Sequence, residues 1–378
     1  MSAIQLTPGD VPRIHGRLFF LDRVRVLLTV LVVLHHAALT YSGFDLWYYH
    51  EPPANEWGRL LDLFLLLNQT YFMGLFFLIS AFFVPGALDR KGGCRFLLDR
   101  LLRLGLPLLA MVFVVVPLAK LAAYRSEDAR RPLPYLDFYL RELEQGPGWF
   151  LATLLVFVTA YAVVRGIRPG RARPRGRRGP LRAREAAGFA ALLVLLGIVW
   201  RVWQPLDRVP LLQMPVPSYL PQYVCMFAAG VVSYRRGVLT AVPAWAARWG
   251  FGLAAAATLA LLPVAVGDPG ATGARLVLAQ VAHGSFDGLY CVGMSLGILG
   301  LFYRRAAGPP RAFGRFLADH AYAVYVVHAV VLVGVSVAFS GLSVGPLEKF
   351  ALVGAVSLPL CWAAAAGVRA LPYVKRVL

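Results

Sequence analysis

The chain has 378 residues, of which 59% are hydrophobic and only 15% are charged. A mean hydropathy of +0.64 is too high for an ordinary soluble domain and indicates a polytopic membrane protein. The net charge of +19 does not indicate a nucleic-acid partner, because the arginines lie between apolar runs, without interleaved aromatics or a folded binding motif.

Ten apolar runs each approach the ~20 residues that cross a ~30 Å hydrocarbon core, which predicts an all-α polytopic membrane protein with about ten transmembrane helices. The runs are 24–41, 67–87, 104–122, 148–165, 186–203, 218–234, 249–266, 284–303, 320–340 and 350–369. We expect residues 1–378 to form a single transmembrane domain, with no C-terminal soluble domain.

The positive charges favour one side of this arrangement. Of the 38 Lys and Arg residues, 28 fall on the side that holds both termini, whereas 13 of the 19 acidic residues fall on the other side. The positive-inside rule therefore predicts that both termini are cytoplasmic. The Arg-rich segment 165–184 is then a cytosolic loop that contacts anionic lipid head groups, and segment 121–147 lies outside, where it can cover an acceptor site.

The first run places ionisable residues on one helix face. Arg25 and His36 are eleven residues apart, about 20° beyond three full turns and about 16 Å along the axis, and Asp22 and Thr29 share their face. His35 points about 80° away. A mid-membrane imidazole can act as a general acid–base, and an arginine can hold an anion. The alternative is a hydrogen-bonded core histidine and a snorkelling arginine.

Two arginines mark the start of the third run. Arg100 and Arg103 are three residues apart, on one helix face at the cytosolic surface, a pairing that suits a phosphorylated ligand. Plain positive-inside anchoring would explain them equally well. Trp149 opens the fourth run after a Gly-Pro-Gly turn, where an interfacial tryptophan is the simpler interpretation.

The ninth run contains Tyr325 and His328, three residues apart on one face. His328 lies about 13 Å into this helix from Asp319. Because the first and ninth runs enter the membrane from the same side, we expect His36 and His328 at comparable depths. A satisfied core histidine is the alternative.

The four cysteines have no close spacing, so neither a disulfide framework nor a metal site is expected. The sequence also contains no G-x-S-x-G elbow, H-E-x-x-H motif, P-loop or dinucleotide fingerprint. Soluble-type serine hydrolysis, zinc proteolysis and ATP hydrolysis therefore have no support.

Five segments, in order, resemble the motifs of the acyltransferase-3 family of integral membrane acyltransferases over nearly the whole chain. They are LDRVRVLLTVLVVLHH, FFLISAFF, RFLLDRLLRLGLPLL, WFLATLL and YAVYVVH. The family is characterised by an arginine and a histidine in the first span with ten residues between them, which are Arg25 and His36 here, so His35 is only the neighbour. Two departures are Ala81 after Ile-Ser80, where the family has glycine, and Gly-Pro-Gly where many members have a histidine.

The resemblance implies transfer of an acyl group, such as acetyl or succinyl, from cytosolic acyl-CoA to a hydroxyl of a carbohydrate or glycosylated acceptor. It implies a multi-pass protein of the bacterial inner membrane, with acyl-CoA as donor substrate, no tightly bound cofactor and a homo-oligomer as one possible state. The first span and the following Tyr41 to Tyr48 are also similar to the subgroup that succinylates periplasmic glucans. The catalytic candidates are His36, Arg25, His328 and Tyr325, and the CoA-binding candidates are Arg100, Arg103 and Trp149.

Two other functions remain open from the sequence. A secondary transporter or flippase fits ten spans with intramembrane charge, although the paired broken helices of many transporters are not evident. A non-catalytic membrane subunit of a glycan-synthesis complex is the third interpretation.

Overall fold

The computed structural model describes residues 18–121, 124, 134–167, 180–203, 216–267, 270–306 and 308–378. Within these ranges the chain is helical, and no strand occurs. The α-helices, in chain order, are α1 (Phe19–Tyr41), α2 (Gly58–Gln69), α3 (Phe72–Phe82), α4 (Val84–Lys91), α5 (Gly93–Arg100), α6 (Leu106–Ala110), α7 (Val116–Ala119), α8 (Tyr135–Arg141), α9 (Trp149–Ile167), α10 (Ala183–Trp203), α11 (Leu220–Arg236), α12 (Trp245–Val266), α13 (Gly273–Arg305), α14 (Ala312–Ala338) and α15 (Pro346–Ala370).

Nine helical stretches of the described chain are long and apolar enough to cross a membrane. Helix α11, with 17 residues, is slightly too short to be counted among them, but it runs parallel to α3 and α4. Gly74 lies beside Met226, and Gly86 lies beside Tyr234. The all-α polytopic architecture is therefore confirmed, and the parallel packing of α11 supports ten spans. Residues 168–179 of the predicted Arg-rich loop lie outside the described residues.

The alternation of the spans gathers their basic ends together. Arg23 near the start of α1 donates a hydrogen bond to the carbonyl of Ala306, just after α13. Arg235 at the end of α11 pairs with Asp89 of α4 at 2.6 Å. We call this the basic end of the bundle, and we call the opposite end the outer end, in keeping with the positive-inside rule.

The third span departs from a regular α-helix in two places. π-helical turns occupy Leu101–Gly105 and Met111–Val115, each two residues before a proline, Pro107 or Pro117. Proline lacks the N–H that would bond the carbonyl four residues earlier. The two carbonyls concerned accept tyrosine hydroxyls instead, Arg103 from Tyr322 and Phe113 from Tyr139.

Glycines set the packing of α13 against its neighbours. A Cβ placed at Gly250 of α12 would lie 2.5 Å from the backbone nitrogen of Gly297, and one at Gly197 of α10 would lie 3.0 Å from the carbonyl oxygen of Gly284. Small residues allow such close approach of membrane helices, where dispersion and not water exclusion drives association. Helices α10, α12 and α13 therefore form a tightly packed layer on one side of the bundle.

We expect Gly250→Ala to destabilise the protein by about 1–3 kcal/mol, because the added methyl group must push α12 and α13 apart. The measurement is the thermal unfolding midpoint of the purified protein in detergent. Gly252→Ala is the matched control, since a Cβ at Gly252 meets nothing within 4 Å on the same helix. Equal midpoints for the two variants would contradict the packing argument.

Candidate functional site

Two histidines from different spans meet near the outer end. The rings of His36 on α1 and His328 on α14 have centroids 4.9 Å apart. The Trp47 ring lies 4.1 Å from His36 and 6.2 Å from His328. The equal depth expected from the two entry points therefore brings the histidines into ring contact, and the loop after α1 adds an aromatic side chain whose position beside them the sequence did not predict.

Backbone carbonyls of the same helices determine the tautomers of these imidazoles. Nδ1 of His36 lies 2.9 Å from the carbonyl oxygen of Val32, and Nδ1 of His328 lies 2.7 Å from that of Tyr325. A carbonyl only accepts, so each Nδ1 donates and each neutral ring keeps a lone pair on Nε2. His328 Nε2 is buried and has no hydrogen-bond partner among the described residues, whereas His36 lines a cavity. His36 is therefore the ring placed to act as a base toward a bound molecule.

The loop that carries Trp47 is held by hydrogen bonds and an ion pair at Glu51, a few residues after Trp47. The Glu51 N–H donates to the Thr40 carbonyl at 2.8 Å, and the Glu51 carboxylate pairs with Lys349 of α15. The Tyr49 hydroxyl donates to the same carboxylate at 2.8 Å. Burial first, and then the Glu51 carboxylate, raise the pKa of Tyr49 above its ordinary value, so this hydroxyl stays a donor. Glu51 thus folds the loop back over the histidines.

A cavity of about 520 Å³ opens beside His36. Its walls come from the outer halves of several spans and from three outer loops, which follow α1, precede α9 and precede α11. Aromatic and imidazole groups form much of the lining: His35, His36, Trp47, Tyr48, Trp149 and Tyr325. Gly146 and Pro147 also line it, so the outer segment predicted to cover an acceptor site does reach the cavity.

A second polar cluster, from residues that the sequence analysis did not select, lies in the same cavity wall. Arg201 at the end of α10 bonds the carboxylate of Asp287 on α13 through Nε at 2.8 Å and a terminal nitrogen at 2.6 Å. The Tyr219 hydroxyl donates to Asp287 at 3.3 Å, and His283 Nε2 lies 3.9 Å from it. The available signal was an aspartate inside a predicted span, which is costly unless paired.

The structure does not bring Arg25 to His36. Arg25 lies three turns nearer the basic end, 3.5 Å from Asp22 and 5.7 Å over the ring of Phe83. Arg25 and His36 therefore lie on the same face of α1 but at different depths in the bundle, about 16 Å apart along the helix axis.

Arg100 and Arg103 also lie at the basic end. The Arg100 guanidinium lies 5.1 Å over the Phe96 ring, and Arg103 lies 3.3 Å from Asp99. A π-helical turn begins at Leu101, between the two arginines. Both remain at the mouth of the third span.

Trp149 and Tyr325 lie at the same depth in the bundle as His36 and His328. The Tyr325 hydroxyl donates to the Pro147 carbonyl, and its ring lies 5.9 Å from that of His328. Trp149 stacks on Tyr223 at 5.7 Å. Trp149, predicted to bind CoA together with the arginines, is thus separated from them and lines the cavity instead.

His35 has surroundings of its own. It lies 3.3 Å from the Asn68 side-chain nitrogen and stacks on Phe72 at 5.1 Å. It also lines the cavity, so the two adjacent histidines present separate faces to one space.

Ala81, where the family pattern has glycine, is accommodated by its partner helix. A Cβ at Gly230 of α11 would lie 2.8 Å from the Ala81 methyl group and would overlap the Leu78 carbonyl oxygen. The close approach of the two helices is preserved because the glycine sits on α11.

Comparison with known proteins gives one match. The sequence profile of a family described as "Acyltransferase domain" covers residues 18–366, from the start of α1 to near the end of α15. No curated protein and no solved structure matches the chain. The match takes in every motif discussed above, and the chain belongs to the acyltransferase-3 family of membrane acyltransferases.

Proposed function

We propose that this membrane acyltransferase moves an acetyl- or succinyl-like group from cytosolic acyl-CoA to a hydroxyl of a carbohydrate or glycosylated acceptor, in a bacterial inner membrane. The observation that carries the proposal is His36, which lines a 520 Å³ cavity with Nδ1 bonded to its own helix and Nε2 left as the basic nitrogen.

In the proposed reaction, the acceptor hydroxyl gives its proton to His36 Nε2 as its oxygen attacks the thioester carbonyl. The new C–O bond forms and the C–S bond breaks. The proton then passes from the imidazolium to the departing thiolate, so the products are an ester and free CoA. His328 contacts His36 from behind and holds the ring in place, and Tyr325 is fixed beside it by Pro147.

The acyl-CoA donor would extend along the bundle from the basic end toward His36. Arg100, Arg103 and Arg25 at the basic end are suited to the CoA phosphates, since guanidinium groups bind phosphate through paired hydrogen bonds. The acyl group must then reach His36, about 16 Å further along α1. Trp149 would contact the acyl end and not the nucleotide, because it lines the cavity.

The acceptor would approach from the outer end, because three outer loops contribute to the cavity walls. Mass spectrometry of envelope glycans and small glycosylated metabolites, from cells with and without an active copy, would identify acyl group and acceptor together. No mass difference in any glycan class would count against the proposal. Substrate transport by vesicles without CoA dependence would favour a transporter or flippase, and a non-catalytic subunit would tolerate substitution of both Arg25 and His36.

We expect His36→Ala to lower the rate of acyl transfer by about 10²–10⁴-fold, the usual contribution of a general base. The rate is measured as CoA release that depends on acceptor. His320→Ala is the matched control, since His320 also bonds the carbonyl four residues earlier on its helix, at 2.7 Å, but does not line the cavity. Full activity of a folded His36→Ala protein would refute the proposed role.

Arg100→Gln should raise the KM for acyl-CoA about tenfold or more while leaving the KM for the acceptor unchanged, because a charge-assisted hydrogen bond contributes about 1.5–3 kcal/mol. The two constants are measured by varying one substrate at saturation of the other. Arg304→Gln serves as control, since that side chain bonds the Ala244 carbonyl at the same end of the bundle. An increase in the acceptor KM alone would exclude the proposed CoA contact.

A further inference from the structure

Arg201 lines the cavity and forms an ion pair with Asp287, which is not itself a lining residue, at a point where the packing of the helices does not require a charge. Asp287 is 5% exposed and is engaged by Arg201 and the Tyr219 hydroxyl. The helices concerned, α10 and α13, are already in backbone contact at Gly197 and Gly284. Buried ion pairs add little stability over apolar residues of similar volume. Charged groups kept at such a position within a membrane bundle indicate a binding site.

Among the described residues that line the cavity, the only Asp, Glu, Lys or Arg side chains are those of Arg201 and Glu144, and each has a partner of opposite charge. Arg201 is balanced by Asp287, and Glu144 on another part of the lining is balanced by Lys120 at 3.1 Å. An anion bound at Arg201 would be repelled by Asp287 behind it, and a cation at Glu144 would be repelled by Lys120. Such a wall offers donors and acceptors without a net charge, which suits an uncharged ligand rich in hydroxyl groups.

Aromatic rings complete this part of the wall. The Arg201 guanidinium lies 5.5 Å from the centroid of the Tyr219 ring, a cation–π contact that helps to position it. Trp47 and Trp149 also line the cavity. An acceptor placed between these rings would have apolar faces covered and its hydroxyl edges directed at the polar cluster.

We propose that Arg201, held in place by Asp287, binds together with Tyr219 and His283 the non-reacting hydroxyls of an uncharged acceptor, so that Arg201 is a specificity-determining residue. This inference deepens the proposed function and rests on it, since it assigns to the acceptor a subsite distinct from the reacting hydroxyl at His36. The cluster would position the acceptor without taking part in proton transfer.

Direct binding tests the subsite without relying on acyl transfer. Purified protein in lipid nanodiscs is titrated with methyl glucoside and with methyl glucuronide, and tryptophan fluorescence reports occupancy. We expect the glucoside to bind and the glucuronide to bind at least tenfold more weakly. We expect Arg201→Gln to weaken glucoside binding at least tenfold. Arg236→Gln, which removes an ion pair of similar length to Glu185 at the basic end, should have no effect. Unchanged affinity in Arg201→Gln, or preference for the glucuronide, would overturn the inference.

A double replacement guards against a folding defect in the single variant. Arg201→Leu with Asp287→Leu leaves no unpaired buried charge, so the fold should persist while glucoside binding is lost. Retained binding in this folded double variant would also overturn the inference.

The subsite and the proposed function can fail separately. Wild-type protein that binds the glucoside as expected but releases no CoA with any acyl-CoA and glycan tested would defeat the proposed function and leave the subsite standing. Acyl transfer with an unchanged acceptor KM in Arg201→Gln would defeat the subsite alone.

Discussion

The candidate site depends on one constraint, that polar groups inside an apolar bundle must find partners within the chain. His36 and His328 meet this constraint at Nδ1, which bonds a carbonyl of the same helix, Val32 for His36 and Tyr325 for His328. These local bonds orient both rings and leave Nε2 as the basic nitrogen. The chemistry of the site is thus set by helix geometry before any substrate arrives.

The same constraint shapes the helices around the site. Prolines in the third span leave two carbonyls without their usual partners, and tyrosines from α14 and α8 supply hydroxyls to them. Tyr325 donates in the same way to Pro147, which joins α14 to the turn before α9. Irregular backbone at these points therefore fixes neighbouring spans to one another, and the cavity walls are held by side-chain-to-backbone bonds.

The sequence predicted those parts of the site that follow from helical periodicity. The face shared by Arg25 and His36, and the equal depth of His328, depend only on rise and rotation per residue. Trp47 could not be found in this way, because a loop has no period and its position depends on the pairing of Glu51 with Lys349, almost 300 residues away. The π-helical turns could not be predicted from the sequence for a related reason, since a proline in a membrane helix can produce a kink, a π-turn or a plain break.

The separation between Arg25 and His36 on one helix constrains the geometry of the proposed reaction. Arg25 lies with Asp22 at the basic end, where the proposed acyl-CoA donor would bind, whereas His36 lies among the outer walls of the cavity. A rigid helix fixes the distance between these two levels at about 16 Å. A donor anchored at one level can therefore present its acyl group at the other only in an extended form. In the proposed reaction, the length of α1 between Arg25 and His36 would set the depth of the reacting carbonyl, so that it lies where an acceptor from the opposite side meets the His36 imidazole.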